Sequence, residues 1–309
     1  MIQGVIGLGT AGCKILKALK EERKDIITYG ISFDEEDLKG LDNTILIKTN
    51  LKDFKSIYKL RGIAKKQLKN LDFNLSFAFI VSGLGGKVGS SLSPLVCEKF
   101  RSKGIPSIFI GMMPFKFEKS KHFLSGRTLE YIRRLCNGII LIDNDELLDL
   151  YPNLTLQEAY SLSNRYITSA LSLLLDPNKE GWNLRKLFLR EGYTLLTLAE
   201  EDSLEGSLEE ALKKLYSKAD IKEIKDILAL FKGKISLRDL EEIYSILSNQ
   251  GEANIFVAYD NKVIKTLLLA NGLTKTKFSY YDPLQTLDQI DPDYEYSIGL
   301  DEINLSYIE

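Results

Sequence analysis

Histidine is almost missing from this sequence: His122 is the only one in 309 residues. That excludes a histidine-rich metal centre and any chemistry that needs two imidazoles. Cysteine is scarce as well. Cys13, Cys97 and Cys136 show no C-x-x-C spacing, so buried thiols in a reducing cytosol are expected rather than disulfides or a zinc site. A surplus of positive charge is lacking too, because 41 Lys and Arg stand against 43 Asp and Glu for a formal net charge of -2. Such a balance offers no broad field for nucleic acid or an anionic membrane. No run reaches the roughly 18 to 20 consecutive apolar residues of a membrane span, and the N-terminus has no signal-peptide pattern. The expectation is a cytoplasmic chain with neither direct membrane insertion nor nucleic-acid binding.

With 44% hydrophobic and 27% charged residues, a chain of this length can build two domains with proper cores. Its most informative stretch is residues 80–94, Ile-Val-Ser-Gly-Leu-Gly-Gly-Lys-Val-Gly-Ser-Ser-Leu-Ser-Pro. A mostly apolar run, residues 75–81, stops just before glycine. Gly83, Gly85, Gly86 and Gly89 let the backbone turn tightly and bring bare N–H groups close to an anion. Ser90, Ser91 and Ser93 add hydroxyls where a helix should begin. The pattern is a phosphate cradle at a strand-to-helix junction, without the residue order of a Walker loop.

A second glycine loop stands at the start. A short apolar strand, residues 2–6, runs into Gly7-Leu-Gly9-Thr-Ala-Gly12 and then a helical pattern through Leu19. A G-x-G-x-x-G between strand and helix also suits a dinucleotide-binding Rossmann unit, and Asp34, just past a second strand at 27–32, lies near the place of a ribose-binding acid. That reading leaves the second glycine loop unused, and the chain offers no acid or base set for hydride transfer.

The spacing G-x-G-G-x-x-G-Ser-Ser, followed by a helix and by Pro114-Phe-Lys-Phe-Glu118, resembles the tubulin/FtsZ superfamily of polymerising GTPases, in the manner of a divergent prokaryotic FtsZ-like protein. Lys87, Val88 and Ser91 depart from the family's glycine-and-threonine signature. The resemblance covers roughly residues 2–272 and implies an α/β fold: a Rossmann-like parallel-sheet GTP-binding domain, a long central helix and a smaller α/β C-terminal domain. The implied parts are 1–153, 154–176 and 177–279, with an acidic tail at 280–309.

The resemblance implies site residues as well. Phosphates would lie on Gly7, Gly9, Thr10, Ala11 and Gly12 and on Gly83, Gly85, Gly86, Lys87, Val88, Gly89 and Ser90. Glu118 would meet the ribose, and Asn144, Tyr160 and Asn164 the guanine base. An amide suits that task because it both donates and accepts. Lys87 is read either as charge replacing the hydroxyl missing at Val88 or as a surface lysine. His122 is read as a nucleotide contact or as an exposed loop residue. Asp34 falls on the aspartate of the family's Asn-Thr-Asp turn.

Thr155 and Glu158 form a T-x-x-E capping box, predicting a helix over 156–175. In the family, the loop after this helix carries carboxylates into the pocket of the next subunit. The matching residues here are Asn178, Glu180 and Asn183. One carboxylate is retained, and a carboxylate can orient or deprotonate water where an amide can only orient it. The expectation is GTP or GDP bound with Mg2+ held mainly by phosphates and water, slow hydrolysis using Glu180, and head-to-tail homopolymers. The tail could also bind an adaptor. A non-hydrolysing, nucleotide-holding scaffold is the alternative, and an NAD-binding oxidoreductase a distant third.

Beyond the loop, a strand is predicted at 193–198, helices at 208–217 and 236–247, and two strands at 253–259 and 263–269 joined by the turn Asp260-Asn261. The basic stretch 56–70 reads as the solvated face of an amphipathic helix.

Overall fold

The computed structural model describes residues 2–50, 54, 56–145, 151–175, 192–218, 222, 224–249, 251–260 and 264–273. The first half alternates strand and helix: β1 Gln3–Leu8, α1 Gly9–Glu22, β2 Ile27–Ser32, α2 Glu35–Leu38, β3 Asn43–Leu46, α3 Ile57–Leu68, β4 Phe77–Gly83, α4 Lys87–Ser102, β5 Ser107–Met113, α5 Lys119–Arg133 and β6 Gly138–Asp143. Then follow α6 Leu156–Leu174, β7 Tyr193–Glu201, α7 Leu204–Lys218, β8 Asp226–Lys232, α8 Leu237–Ser248, β9 Glu252–Ala258 and β10 Ile264–Leu273. All ten strands form one mixed sheet in the order β3-β2-β1-β4-β5-β6-β7-β10-β8-β9. Pairing is parallel from β3 to β7, and only β10 runs antiparallel, against β7 and β8.

Apolar helix faces cover both sides of the sheet, as parallel strands buried on both faces require. On one side, α1 and α6 press Ile15, Leu16, Leu19, Ile167 and Leu171 against Val5, Phe79 and Ile110. On the other, Leu60, Leu92 and Leu129 of α3, α4 and α5 join Ile6, Ile80 and Phe109 in a buried cluster that continues to Leu208 of α7 and Ile243 of α8. The central helix is well started. The Thr155 hydroxyl accepts from Glu158 N at 3.3 Å, and the Glu158 carboxylate takes Thr155 N at 2.8 Å.

Those bonds from Thr155, first from its hydroxyl and then from its backbone, hold the Glu158 carboxyl below its ordinary pKa. A depressed carboxylate stabilises the fold above its unfolded-state pKa, and that contribution is lost as pH falls through the folded value. Asp239, which caps α8 with Ser236, is shifted the same way by the Ser236 backbone and hydroxyl. Helicity followed by circular dichroism between about pH 6 and pH 3 should therefore fall less steeply in a Glu158→Gln, Asp239→Asn double variant.

The helical period of 56–70 is met by α3, capped by the Ser56 hydroxyl, with Leu60, Ala64 and Leu68 buried. Gly62 lies in its interior, and a Cβ there would meet nothing within 4 Å. Gly62→Ala is expected to raise stability by about 0.5–1 kcal/mol in urea denaturation, since alanine loses less backbone entropy in a helix.

Three local expectations are corrected. The cradle helix begins at Lys87, a turn before the serines where it was expected to begin, because Gly86 already takes the N-cap conformation. The strands at 253–259 and 263–269 do not pair with each other. The strand β8, whose Ile227-Leu-Ala-Leu-Phe231 run had no assignment, lies between them. His122 is not an exposed loop residue: it sits in α5, 6% exposed, with Nε2 3.0 Å from the Phe115 carbonyl.

Candidate functional site

The C-terminal ends of β1, β4, β5 and β6 open into one cleft of about 370 Å3. An open α/β sheet binds ligands at this edge, outside the carboxyl ends of its strands. Leu8, Gly9, Thr10, Ala11 and Lys14 line one wall, Gly83, Leu84 and Gly86 to Gly89 a second, and Met112, Met113, Pro114 and Glu118 the floor. Lys121, Asn144, Tyr160 and Asn164 complete it. The two glycine loops, 70 residues apart in the chain, thus face each other.

Both loops open into helix N-termini without side-chain caps. The N-cap residues are Leu8 for α1 and Gly86 for α4; neither makes a side-chain cap bond, and neither helix has an acid in its first turn. By contrast α2, α3, α6 and α8 are capped by Asp34, Ser56, Thr155 and Ser236. Two positive helix ends aimed at one cleft form an anion site. Lys14, Lys87 and Lys121 line the same space against one carboxylate, Glu118.

The glycines divide by role. Gly9 has φ +64, and a Cβ there would touch Val88 of the facing loop at 2.8 Å. At Gly89 a Cβ would lie 2.1 Å from the Gly83 carbonyl oxygen, so the second loop closes only without a side chain. Gly7 and Gly12 press against each other behind the wall and do not line the cleft. Gly85 also stays outside it, packed against Lys121 and Ser125. Ser90 lies beyond the cleft lining and fully buried; its carbonyl accepts from Arg61 and its hydroxyl has no partner among the described residues.

Lys87 lines the cleft, and its ammonium donates to the Phe54 carbonyl at 3.0 Å. Thr10 donates to the Asp37 carboxylate at 3.2 Å, and Ser32 to the same oxygen at 2.6 Å. Asp37, Lys14 and Lys121 were not among the expected site residues. For Lys14 a signal existed, since it follows Thr10 by four residues on one helix face. Asp34 turns away to cap α2, accepting from Glu36 N at 3.0 Å, and is not among the cleft residues.

The turn at 114–118 is tied down around Glu118. That carboxylate accepts from Phe115 N at 3.0 Å, pairs with the Lys121 ammonium, and has both oxygens 3.2 Å from the Tyr160 hydroxyl. Burial, and then the charge of Glu118, push the Tyr160 phenol up to about 12, so it stays a neutral donor. Its ring meets Phe115 edge-on at 5.2 Å. Asn144 is 3% exposed; its amide nitrogen donates to the Met113 carbonyl at 2.7 Å and its oxygen accepts from Ser163 at 3.0 Å. Each end of that amide keeps one further hydrogen-bonding position for a ligand. Cys13, fully buried beside the first loop, is pushed up to about 12 by burial and then by Asp37, so its thiol is no nucleophile. Asn178, Glu180 and Asn183 lie outside the described residues.

The profile described as "Tubulin/FtsZ family, GTPase domain" matches residues 52–152. The chain is 28% identical over 181 residues to cell division protein FtsZ 2 of Methanocaldococcus jannaschii, covering 54% of this chain and 47% of the relative. The match thus spans about half of that relative's length. With cell division protein FtsZ 1 of Pyrococcus abyssi it is 22% identical over 310 residues, 90% of this chain and 82% of the relative. An empty FtsZ dimer from M. jannaschii superposes with a TM-score of 0.78 at 20% identity, over 88% of each chain. The match over residues 52–152, these relatives and the shared fold support a divergent FtsZ-like member of the tubulin/FtsZ superfamily.

Within that superfamily the fold is also shared with CetZ2 from Haloferax volcanii, solved as a GTPγS-bound protofilament, at TM-score 0.77 and 18% identity over 94% of this chain and 99% of the other. No described helix of this FtsZ-like chain is long and apolar enough to cross a membrane.

Proposed function

We propose that this chain is a guanine-nucleotide-binding cytoskeletal protein that assembles head to tail and hydrolyses GTP slowly. The observation that carries the reading is the meeting of two uncapped helix N-termini in one cleft with the Glu118–Tyr160 pair. The phosphates take the N–H groups around Gly9 to Ala11 and Gly86 to Gly89, and Gly7, Gly12, Gly85 and Ser90 shape those loops from behind. Glu118 faces the ribose, while Asn144, Tyr160 and Asn164 surround the base. Mg2+ would be held mainly by the phosphate oxygens and water. Residues 1–153 would carry the nucleotide, with α6 linking them to 177–279.

α6 leads away from the cleft. Arg23 at the end of α1 donates to the Ser172 and Leu175 carbonyls at the end of α6, so the two helices run in the same direction and Leu175 stands about 22 Å along the α6 axis from Tyr160. Glu180, five residues further on, serves the cleft of the next copy, as the tubulin/FtsZ resemblance implies. Relatives named for cell division, and neighbours solved as protofilaments, support filament formation and a role in division or cell shape. The experiment is phosphate release and light scattering followed together, with GTP and Mg2+, across a protein series. Release rising more than linearly with protein supports the reading. Scattering without release leaves a non-hydrolysing filament, and silence in both with GTP bound leaves the scaffold or regulator.

A further inference from the structure

The opposite edge of the sheet, away from the cleft, carries a cluster of cations on α3 and α4, beside the exposed acids Glu98 and Asp72, of which Asp72 pairs with Lys103. Residues 56–70 hold five Lys and Arg and no Asp or Glu, in a chain whose net charge is -2. The C-terminal turns of α3 and α4, which pack side by side, expose Lys65, Lys66, Lys69 and Arg101 at this edge. Among the described residues none of the four pairs with a carboxylate. Cations are common in a last helical turn, where they offset the dipole. Here that place is already taken, because Lys99 reaches across from α4 and donates to the Leu68 and Lys69 carbonyls at 2.9 and 3.1 Å. The four cations are surplus to it.

The opposite charge lies in one segment. From Tyr280 to Glu309 the sequence has eight Asp and Glu and no Lys or Arg. The chain reaches that segment from the same edge of the sheet. Leu273, at the end of β10, pairs with Tyr193, the first residue of β7. β7 runs parallel to β6, β5 and β4, whose N-terminal ends follow the C-terminal ends of α4 and α3. β10 and β4 are four strand spacings apart, about 19 Å. The residues between Leu273 and Asp282 span up to about 28 Å, so every carboxylate of the segment is within covalent reach of the patch.

We propose that residues 280–309 dock, within the same chain, on the basic end face formed by the C-terminal turns of α3 and α4. Tethering supplies the local concentration, and exposed ion pairs of modest individual strength act together. α6 ends at this edge too, so the docked segment sits beside the end that a following copy would approach. The proposal stands apart from the guanine reading and needs no nucleotide.

Zero-length carbodiimide coupling of the full chain, dilute and without nucleotide, tests it. The reagent condenses a lysine ammonium with a touching carboxylate into an amide and carries off the water as its urea. Peptide mapping should find Lys65, Lys66 or Lys69 joined to acids of 282–309 in monomeric protein. The yield should fall about tenfold near 1 M salt, where screening shortens to about 3 Å. It should fall similarly at the remaining lysine when two of the three are changed to Gln, substitutions at exposed sites that leave the melting temperature in place. Coupling confined to a dimer band would assign the acids to a second copy and overturn the proposal. So would coupling spread over lysines elsewhere, or none at all while anionic vesicles bind the patch.

Discussion

Gly89→Ala is expected to weaken guanine-nucleotide binding at least about 100-fold, near 2.7 kcal/mol. The new methyl would lie 2.1 Å from the Gly83 carbonyl oxygen and 2.6 Å from Ser82 Oγ. The closer of these is backbone, so β4 and the first turn of α4 must separate. The N–H groups of Lys87 to Gly89 then lose the shared geometry that makes an anion site. Overpacking of this kind costs about 1–3 kcal/mol of stability, so binding is to be measured well below the melting transition. Gly62→Ala, in the interior of α3 and outside the cleft lining, is the control and should leave affinity unchanged. Equal binding by both variants would place the nucleotide elsewhere.

Glu180→Gln should abolish turnover while preserving nucleotide binding and assembly. The change keeps shape and removes the negative charge that orients or deprotonates water. Because Glu180 is proposed to serve the cleft of the next copy, the defect should be complemented by mixing. A Glu180→Gln copy has an intact cleft, and a Gly89→Ala copy retains Glu180. Neither should turn over GTP alone, and together they should recover a part of wild-type phosphate release that rises with total protein. A mixture as silent as its components would mean that hydrolysis does not use Glu180 across an interface.

Much of the cleft was legible because its residues are types with few alternatives. Glycines clustered between an apolar run and a helix mark a backbone that approaches an anion, and the tubulin/FtsZ resemblance joined the two loops to one pocket. The capping box at Thr155 and the serine at 236 marked two helix starts, since local hydrogen bonds depend only on neighbours in sequence. What stayed hidden depends on residues brought together from afar. Asp37 receives Thr10 and Ser32 only because α2 folds back over the first loop. His122 looked like a loop residue, yet α5 buries it against Phe115. The path of β8 between β9 and β10 is a long-range pairing that an apolar run cannot specify. Nor could spacing divide the glycines into those that line the cleft and those, such as Gly7 and Gly12, that let helix and strand pack closely behind it.

The central claim is a guanine nucleotide between the two glycine loops, and direct titration of the purified chain with GDP, GTP, ATP and NAD tests it first. The account predicts one site per chain, GDP and GTP binding at micromolar or tighter, ATP and NAD at least about 100-fold weaker, and loss of the site in Gly89→Ala. Tight NAD binding with GTP excluded would contradict it and return the first loop, Gly7 to Gly12, to the dinucleotide reading.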